Sequence, residues 1–274
     1  MRRIVYFVYG VACHALFLVV YAWMAAFVGN FDFGLIRTID GPVTRSLASA
    51  LTIDVLLIAA FAVPHSVMAR PRFKRWWTRF VPEPIERSTY VFVSCLLMGL
   101  LLWQWQPIGG VVWDVTGPAA RSALWALFAV GWLMVPGVSL LINHFDLFGT
   151  RQVWLHLRGQ AYSDLPFRTP LLYRLVRHPL YVGWMLAFWA TPTMTIAHLL
   201  FAVLTTAYML IAIPFEERNL IAHFGENYVE YRRRTGGLIP RLTGSPEWPE
   251  VEPGAAWRRS RLKRSRLVNP IRPL

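Results

Sequence analysis

IVYFVYGVACHALFLVVYAWMAAFV, residues 4–28, decides the class of this protein. It is 25 residues without a charge, and a helix needs only ~20 to cross the hydrocarbon core of a bilayer. Basic Arg2 and Arg3 precede it as they would a signal peptide. No small-residue cleavage site stands out, however, and Tyr6, Tyr9 and Tyr21 punctuate the run, so it reads as a retained first span. Further apolar segments follow at 48–69, 88–105, 121–142, 180–196 and 198–214. The last two are short, with Pro192 between them, and predict a tight helical hairpin that stops short of a full crossing.

The composition agrees. Hydrophobic residues make up 55% of the chain, aromatics 15% and charged residues only 16%, too little polar surface for a soluble domain of this length. The fold class is therefore all-α, a polytopic transmembrane helical bundle of about six segments with a cytoplasmic C-terminal helix and tail. Residues 1–240 form one membrane domain, and 241–274 a basic extension with eight basic and three acidic residues interspersed with Pro and Trp. Cys13 and Cys95 lie inside apolar runs and read as packing residues. With the N-terminus inside, the cytoplasmic pieces hold 25 of the 28 Lys and Arg and the outside pieces hold three, Arg37, Arg45 and Arg121. Both termini are expected in the cytoplasm, and the localisation expected is a bacterial inner membrane. The net charge of +13 then has an ordinary partner in anionic lipid headgroups, ahead of nucleic acid.

The densest polar chemistry lies in two places. LLYRLVRHPLYVG, 171–183, contains Pro179, which disfavours helix at His178 and suits the first turn of a new helix. That helix start with Arg177 beside it is a candidate anion site. Gly183 leaves room for close approach, and His178 and Tyr181 share a face. FEERNLIAHFGENYVEYRRR, 215–234, places Glu217, Leu220, Phe224, Tyr228 and Tyr231 along one side at helical spacing, with Gly225 marking a bend or break. Acids and rings around one concavity suit a cationic cofactor with ribose hydroxyls. An amphipathic interfacial helix explains the same pattern.

RHPLYVG (177–183), EERNL (216–220), FGENYVEY (224–231) and IPRL (239–242) together resemble the cofactor-binding half of the isoprenylcysteine carboxyl methyltransferase superfamily, over residues 171–242. That resemblance implies S-adenosyl-L-methionine as cofactor, with His178, Pro179, Tyr181, Gly183, Glu216, Glu217, Tyr228 and Tyr231 at its site beside Arg177. PHSVMARPRFKRWW (64–77), ERSTYVFVSCLLMGLLLWQWQPI (86–108) and NHFDLFGTRQVWLHLRG (143–159) are similar to the bacterial methanethiol S-methyltransferases, which share this region with NnrU membrane proteins. The FDLFG-RQ run is the most diagnostic, because neither topology nor packing demands its polar residues there. Thr150 stands where that family is expected to carry an apolar residue. The resemblance implies methylation of a small thiol, methanethiol to dimethyl sulfide, with no obligate protein partner and no metal.

A thiol with a pKa of ~8.5 or above is mostly protonated at neutral pH, so a base or a positive field near the sulfur makes chemical sense. His65, after Pro64 near the inner end of the second span, is the first candidate base, with His144, Asp146 and Arg151 as the other wall. A structural hydrogen bond is the competing reading of His65. Asp54 lies on the same helix face and reads as a buried polar contact. Glu86 and Arg87 read as cap and loop pair, and His14 and His198 as isolated packing residues. Two other functions compete: methylation of an isoprenyl thiol or lipid acceptor, and a non-enzymatic NnrU-type protein binding haem or metal through His65 and His144.

Overall fold

Prolines and small polar side chains set where the helices begin. In the computed structural model, which describes residues 1–34 and 36–241, the elements run α1 (Arg2–Val28), α2 (Leu47–Met68), α3 (Pro71–Trp77), α4 (Glu83–Gln104), β1 (Val111–Asp114), α5 (Pro118–Ile142), α6 (His144–Leu147), α7 (Thr150–Leu157), α8 (Leu172–Leu175), α9 (Pro179–Trp189), β2 (Thr193–Thr195), α10 (Ile196–Phe224) and α11 (Glu226–Arg234). The basic extension, beyond Arg241, lies outside the described residues. α3, α5 and α9 each start on a proline, which brings a helical φ and has no N–H to leave unpaired. α2 and α10 are capped instead by Ser46 Oγ, accepting from Ser49 N at 3.4 Å, and Thr195 Oγ1, accepting from His198 N at 3.1 Å.

Among the described residues five helices, α1, α2, α4, α5 and α10, are long and apolar enough to cross a membrane, and the chain is a multi-pass membrane protein. The expected hairpin of two short helices is corrected. α9 has 11 residues, about 16 Å at 1.5 Å per residue. α10 has 29 and runs on through Pro214 and the polar EERNLIAHF stretch. Hydropathy falls at residue 214, but nothing there stops the helix. Gly225, at φ 60°, does.

Between α9 and α10 the chain is extended rather than coiled. β2 pairs antiparallel with β1, Val111 opposite Thr195 and Asp114 opposite Thr193, so the α9–α10 turn lies at the same end as the α4–α5 connection. The opposite end carries the N-terminus of α9, the C-terminus of α10 and all of α11. It is the basic end of the molecule, with Arg2, Arg3 and the arginine-rich 70–87 and 151–177 stretches.

The core is aromatic. Phe27, Leu101, Leu102, Trp105 and Phe201 are fully buried, with Phe27 and Trp105 packed edge to face at 6.1 Å. Asp54 is buried too, its Oδ1 accepting from Gln106 N at 2.9 Å just past the end of α4. Cys13 and Cys95 are buried and free.

Small residues bring α5 and α9 together, as is usual where membrane helices meet. A Cβ on Gly131 of α5 would lie 2.4 Å from the backbone N of Ala187 in α9, and one on Gly183 would lie 3.3 Å from Met134 Cβ. The close approach that Gly183 permits is therefore that of helix α5. Gly131→Ala should lower the melting temperature in detergent by the equivalent of about 1–3 kcal/mol of overpacking. Gly137→Ala, on the same helix with nothing within 4 Å of its added Cβ, should leave it unchanged. Equal melting temperatures for both variants would contradict this packing.

Candidate active site

The basic end closes on itself through backbone pairing that composition does not reveal. After α11 the chain returns to the start of α9: Arg177 N donates to Gly236 O at 2.8 Å and His178 N to Gly237 O at 3.1 Å. This fixes the RHP turn between α9 and the end of α11. Pro179 and Gly183 are buried within α9, the proline starting the helix.

Glu217 lies under that turn, and its Oε1 is shared. Arg177 Nε and Nη2 both reach it at 2.7 Å, and His178 Nε2 donates to it at 3.1 Å. Arg177 Nη1 donates to the carbonyls of Arg232 and Thr235, and Arg232 Nη1 stands 3.8 Å from Glu217 Oε2. The guanidinium of Arg177 is thus spent inside the protein. Its sequence reading as an anion receptor gives way to a strut between α9, α10 and α11.

Glu216 differs from its neighbour because successive helix residues point about 100° apart. Its side chain is 45% exposed where that of Glu217 is 10%. Glu216 Oε2 accepts from the Tyr181 hydroxyl at 2.8 Å and sits 3.8 Å from His178 Nδ1. The His178 and Tyr181 rings stack at 5.5 Å. Tyr228 and Tyr231 are buried alongside, and Tyr231 donates to Tyr173 O at 2.6 Å. Burial first, then the Glu217 carboxylate for Tyr228 and the Tyr228 and Tyr173 hydroxyls for Tyr231, raises both phenols, so both stay protonated. Phe167 packs on Phe224, Tyr231 and Tyr228 at 5.2, 5.6 and 6.1 Å. Sequence reasoning missed Phe167, Tyr173 and the Gly236–Gly237 pair. The double glycine was the one local signal available.

His65 is on α2, facing α4. Its Nδ1 lies 3.0 Å from Ser94 Oγ, and the Tyr90 hydroxyl is 2.9 Å from Nε2 and 3.2 Å from Nδ1. Phe61 stacks on the ring at 5.0 Å. The Tyr181 hydroxyl has those of Tyr208 and Tyr90 as electrostatic neighbours.

The other expected wall has a different construction. Asp146 is buried and accepts from Arg151 Nη1 at 2.9 Å, Gln152 Nε2 at 3.3 Å and the Tyr162 hydroxyl at 3.4 Å, with Arg87 Nη1 at 3.7 Å. Asn143 Oδ1 caps Asp146 N at 3.1 Å. Gly149, at φ 86°, lies so close to Ser88 that a Cβ would meet its N at 2.7 Å. Packing therefore does demand the FDLFG-RQ residues: they lock the turn after α5 onto α4. Glu86 pairs with Lys74 at 4.0 Å.

His144 and His14 are partners. Ser139 Oγ donates to Pro136 O at 2.8 Å, so it accepts from His144 Nδ1 at 2.7 Å. His144 Nε2 then accepts from His14 Nε2 at 3.0 Å, and His14 Nδ1 accepts from Thr150 Oγ1 at 3.0 Å. Burial first, then His14, holds the pKa of His144 below its usual value. His14 is not isolated, and Thr150 is polar because it serves as a donor to His14. No hydrogen bond, ion pair or ring contact among the described residues joins His65 to His144, Asp146 or Arg151. His198 is buried, its Nε2 donating to Phe188 O at 2.8 Å.

The fold and this cluster define a polytopic membrane protein with a cluster of charged and phenolic side chains at the basic ends of its helices. No family profile and no solved structure matches the chain. It is 49% identical over 240 residues to a methanethiol S-methyltransferase of Mycobacterium tuberculosis, covering 88% of this chain and 98% of that one. It is 49% identical to a methanethiol S-methyltransferase of Crocosphaera subtropica over 88% of this chain and 93% of that one. Nurim of Mus musculus is 31% identical over 64% of this chain and 70% of its own. The chain belongs to the methanethiol S-methyltransferase family.

The two carboxylates should separate in their effects. Glu217→Ala leaves Arg177 largely buried without its countercharge and His178 Nε2 without its acceptor, and should lower stability by about 3–5 kcal/mol, seen as an earlier thermal transition in detergent. Glu216→Gln should leave that transition in place. A shift of equal size in both variants would contradict the division of labour between them.

Proposed function

We propose that this chain transfers a methyl group from S-adenosyl-L-methionine to a small thiol, methanethiol, releasing dimethyl sulfide. The observation that supports this most is the cluster around Glu216, a partly exposed carboxylate with one oxygen on Tyr181, next to buried protonated phenols, in a chain nearly half identical to methanethiol S-methyltransferases over almost their whole length. The residues present fit the methyl donor. Glu216 Oε1 has no partner among the described residues and suits a ribose diol or ammonium group. Phe167, partly exposed, offers a ring for the adenine or the cation, with Tyr228 and Tyr231 buried behind it.

The donor, when bound, supplies an electrophilic methyl on a sulfonium; the protein supplies alignment and a reactive sulfur. Glu216 and Tyr181 hold the polar end of the donor. Arg177, His178, Pro179 and Glu217 fix the turn against which it rests, and Gly183 lets α9 seat on α5. Asp146, Arg151 and His144 hold the α6–α7 turn on α4 and α1, which encloses the acceptor side. We place the protein in a bacterial inner membrane with both termini and the cluster in the cytoplasm, bathed in anionic lipid, with no nucleic acid and no obligate protein partner. The 25-to-3 division of basic residues supports that orientation.

The haem or metal alternative loses its ligands, since His65 faces Tyr90 and Ser94 while His144 faces His14 and Ser139. Isoprenyl or lipid acceptors require a different product. Purified full-length protein given methanethiol and methyl-labelled S-adenosyl-L-methionine should release labelled dimethyl sulfide. Label appearing in extracted lipid, with none in dimethyl sulfide, would overturn the small-thiol reading.

A further inference from the structure

Two helices that pack side by side and end at the basic end carry the same exposed pattern. On α2 it is Val63, Val67 and then Arg70; on α10 it is Ile211, Phe215 and then Arg218. The spacing is i, i+4, i+7 in both, which keeps each set on one face. The four apolar side chains are exposed. Arg70 N donates to Val67 O at 3.0 Å, so Arg70 stands one turn beyond that face. A hydrogen bond of 3.1 Å between the Ser66 and Tyr208 hydroxyls joins the two helices nearby. The two arginines then converge. The Arg70 guanidinium lies over the Phe215 ring at 4.7 Å from its centre, and that of Arg218 over the same ring at 5.5 Å.

A ring attracts a cation, yet two cations at one ring repel each other. Among the described residues no carboxylate pairs with either arginine. Glu216 and Glu217, beside Arg218 in sequence, are engaged by Tyr181 and by Arg177. The ring contact does not use the guanidinium N–H donors, as many as five on each arginine. An anion that accepts from both removes the repulsion, and phosphate is the anion whose oxygens match guanidinium donors. We propose that the seam between α2 and α10 binds an anionic phospholipid, with its headgroup phosphate at Arg70 and Arg218 and an acyl chain along Val63, Val67 and Ile211. Charge selects the headgroup. The exposed apolar residues one and two turns back along both helices select a lipid over free phosphate, which has nothing to lay on them. Arg158 provides the contrast: it is exposed, at the same end of the molecule, and is a single cation over its ring, Trp154, at 5.7 Å.

The test titrates full-length protein in nonionic detergent with phosphatidylglycerol and reads the first bound lipid by mass spectrometry of the intact protein. Wild type should bind it about fivefold more tightly than Arg70→Gln or Arg218→Gln, and about 25-fold more tightly than the double variant, as each lost cation weakens the hold on an anionic headgroup. Arg158→Gln, which also removes one positive charge, should match wild type. Inorganic phosphate should not displace the lipid. S-adenosyl-L-homocysteine should bind wild type and both seam variants equally by calorimetry. Equal lipid affinity in wild type and both seam variants, an equal loss in Arg158→Gln, or displacement of the lipid by inorganic phosphate would each overturn the proposal. Unchanged lipid affinity with weaker S-adenosyl-L-homocysteine binding would overturn it as well, by making the two arginines part of the donor site. None of these results bears on whether the protein methylates methanethiol, which the labelled-product assay decides.

Discussion

A single carboxylate oxygen, Glu217 Oε1, organises the basic end of this protein. It receives Arg177 twice and His178 once, and through them it ties the start of α9, the end of α10 and the return of the chain after α11. An uncompensated charge near the membrane is costly, so each partner holds the others in place. The phase of the α10 helix does the rest. With Glu217 turned inward, Glu216 one residue earlier must turn to another side, where Tyr181 meets it. One ion pair thereby decides which acid is a strut and which is available to a ligand.

The position of α9 is set elsewhere, by its contact with α5. Gly131 and Gly183 let the two backbones approach until no side chain fits between them, so α9 cannot slide or rotate without a clash. The RHP turn is thereby held beside the last turns of α5. From there Asn143, Asp146 and Gly149 carry the chain across to α4 and its Arg87. The same α4 bears Tyr90 and Ser94, which meet His65 of α2.

How much of this could be read from the sequence follows from which interactions are local. The spans could be read because the length of an apolar run is a property of one segment, and the helix start at Pro179 because a proline acts on its own backbone. Gly225 as a break is local too. The extent of α10 could not be read from hydropathy, since composition changes at residue 214 while the helix continues. The β1–β2 pair joins segments about eighty residues apart through backbone atoms, which no side-chain pattern records. The RHP and Glu-Glu elements were legible as members of one site through a family resemblance, but the roles within it were not. Whether Arg177 is free or spent depends on where Glu217, Arg232 and Thr235 come to lie. His14 and His65 show the same limit, because tautomer and partner are properties of the packed neighbours Thr150, Ser94 and Tyr90.

The claim on which the functional account turns is that the methyl donor lies against the cluster built by α9, α10 and α11. Hydrogen–deuterium exchange of the full-length protein, with and without S-adenosyl-L-homocysteine, addresses it most directly. Protection confined to residues 172–183 and 216–237 is the expected result. Protection at the opposite end, around β1 and β2, or no protection under saturating ligand, would contradict the account.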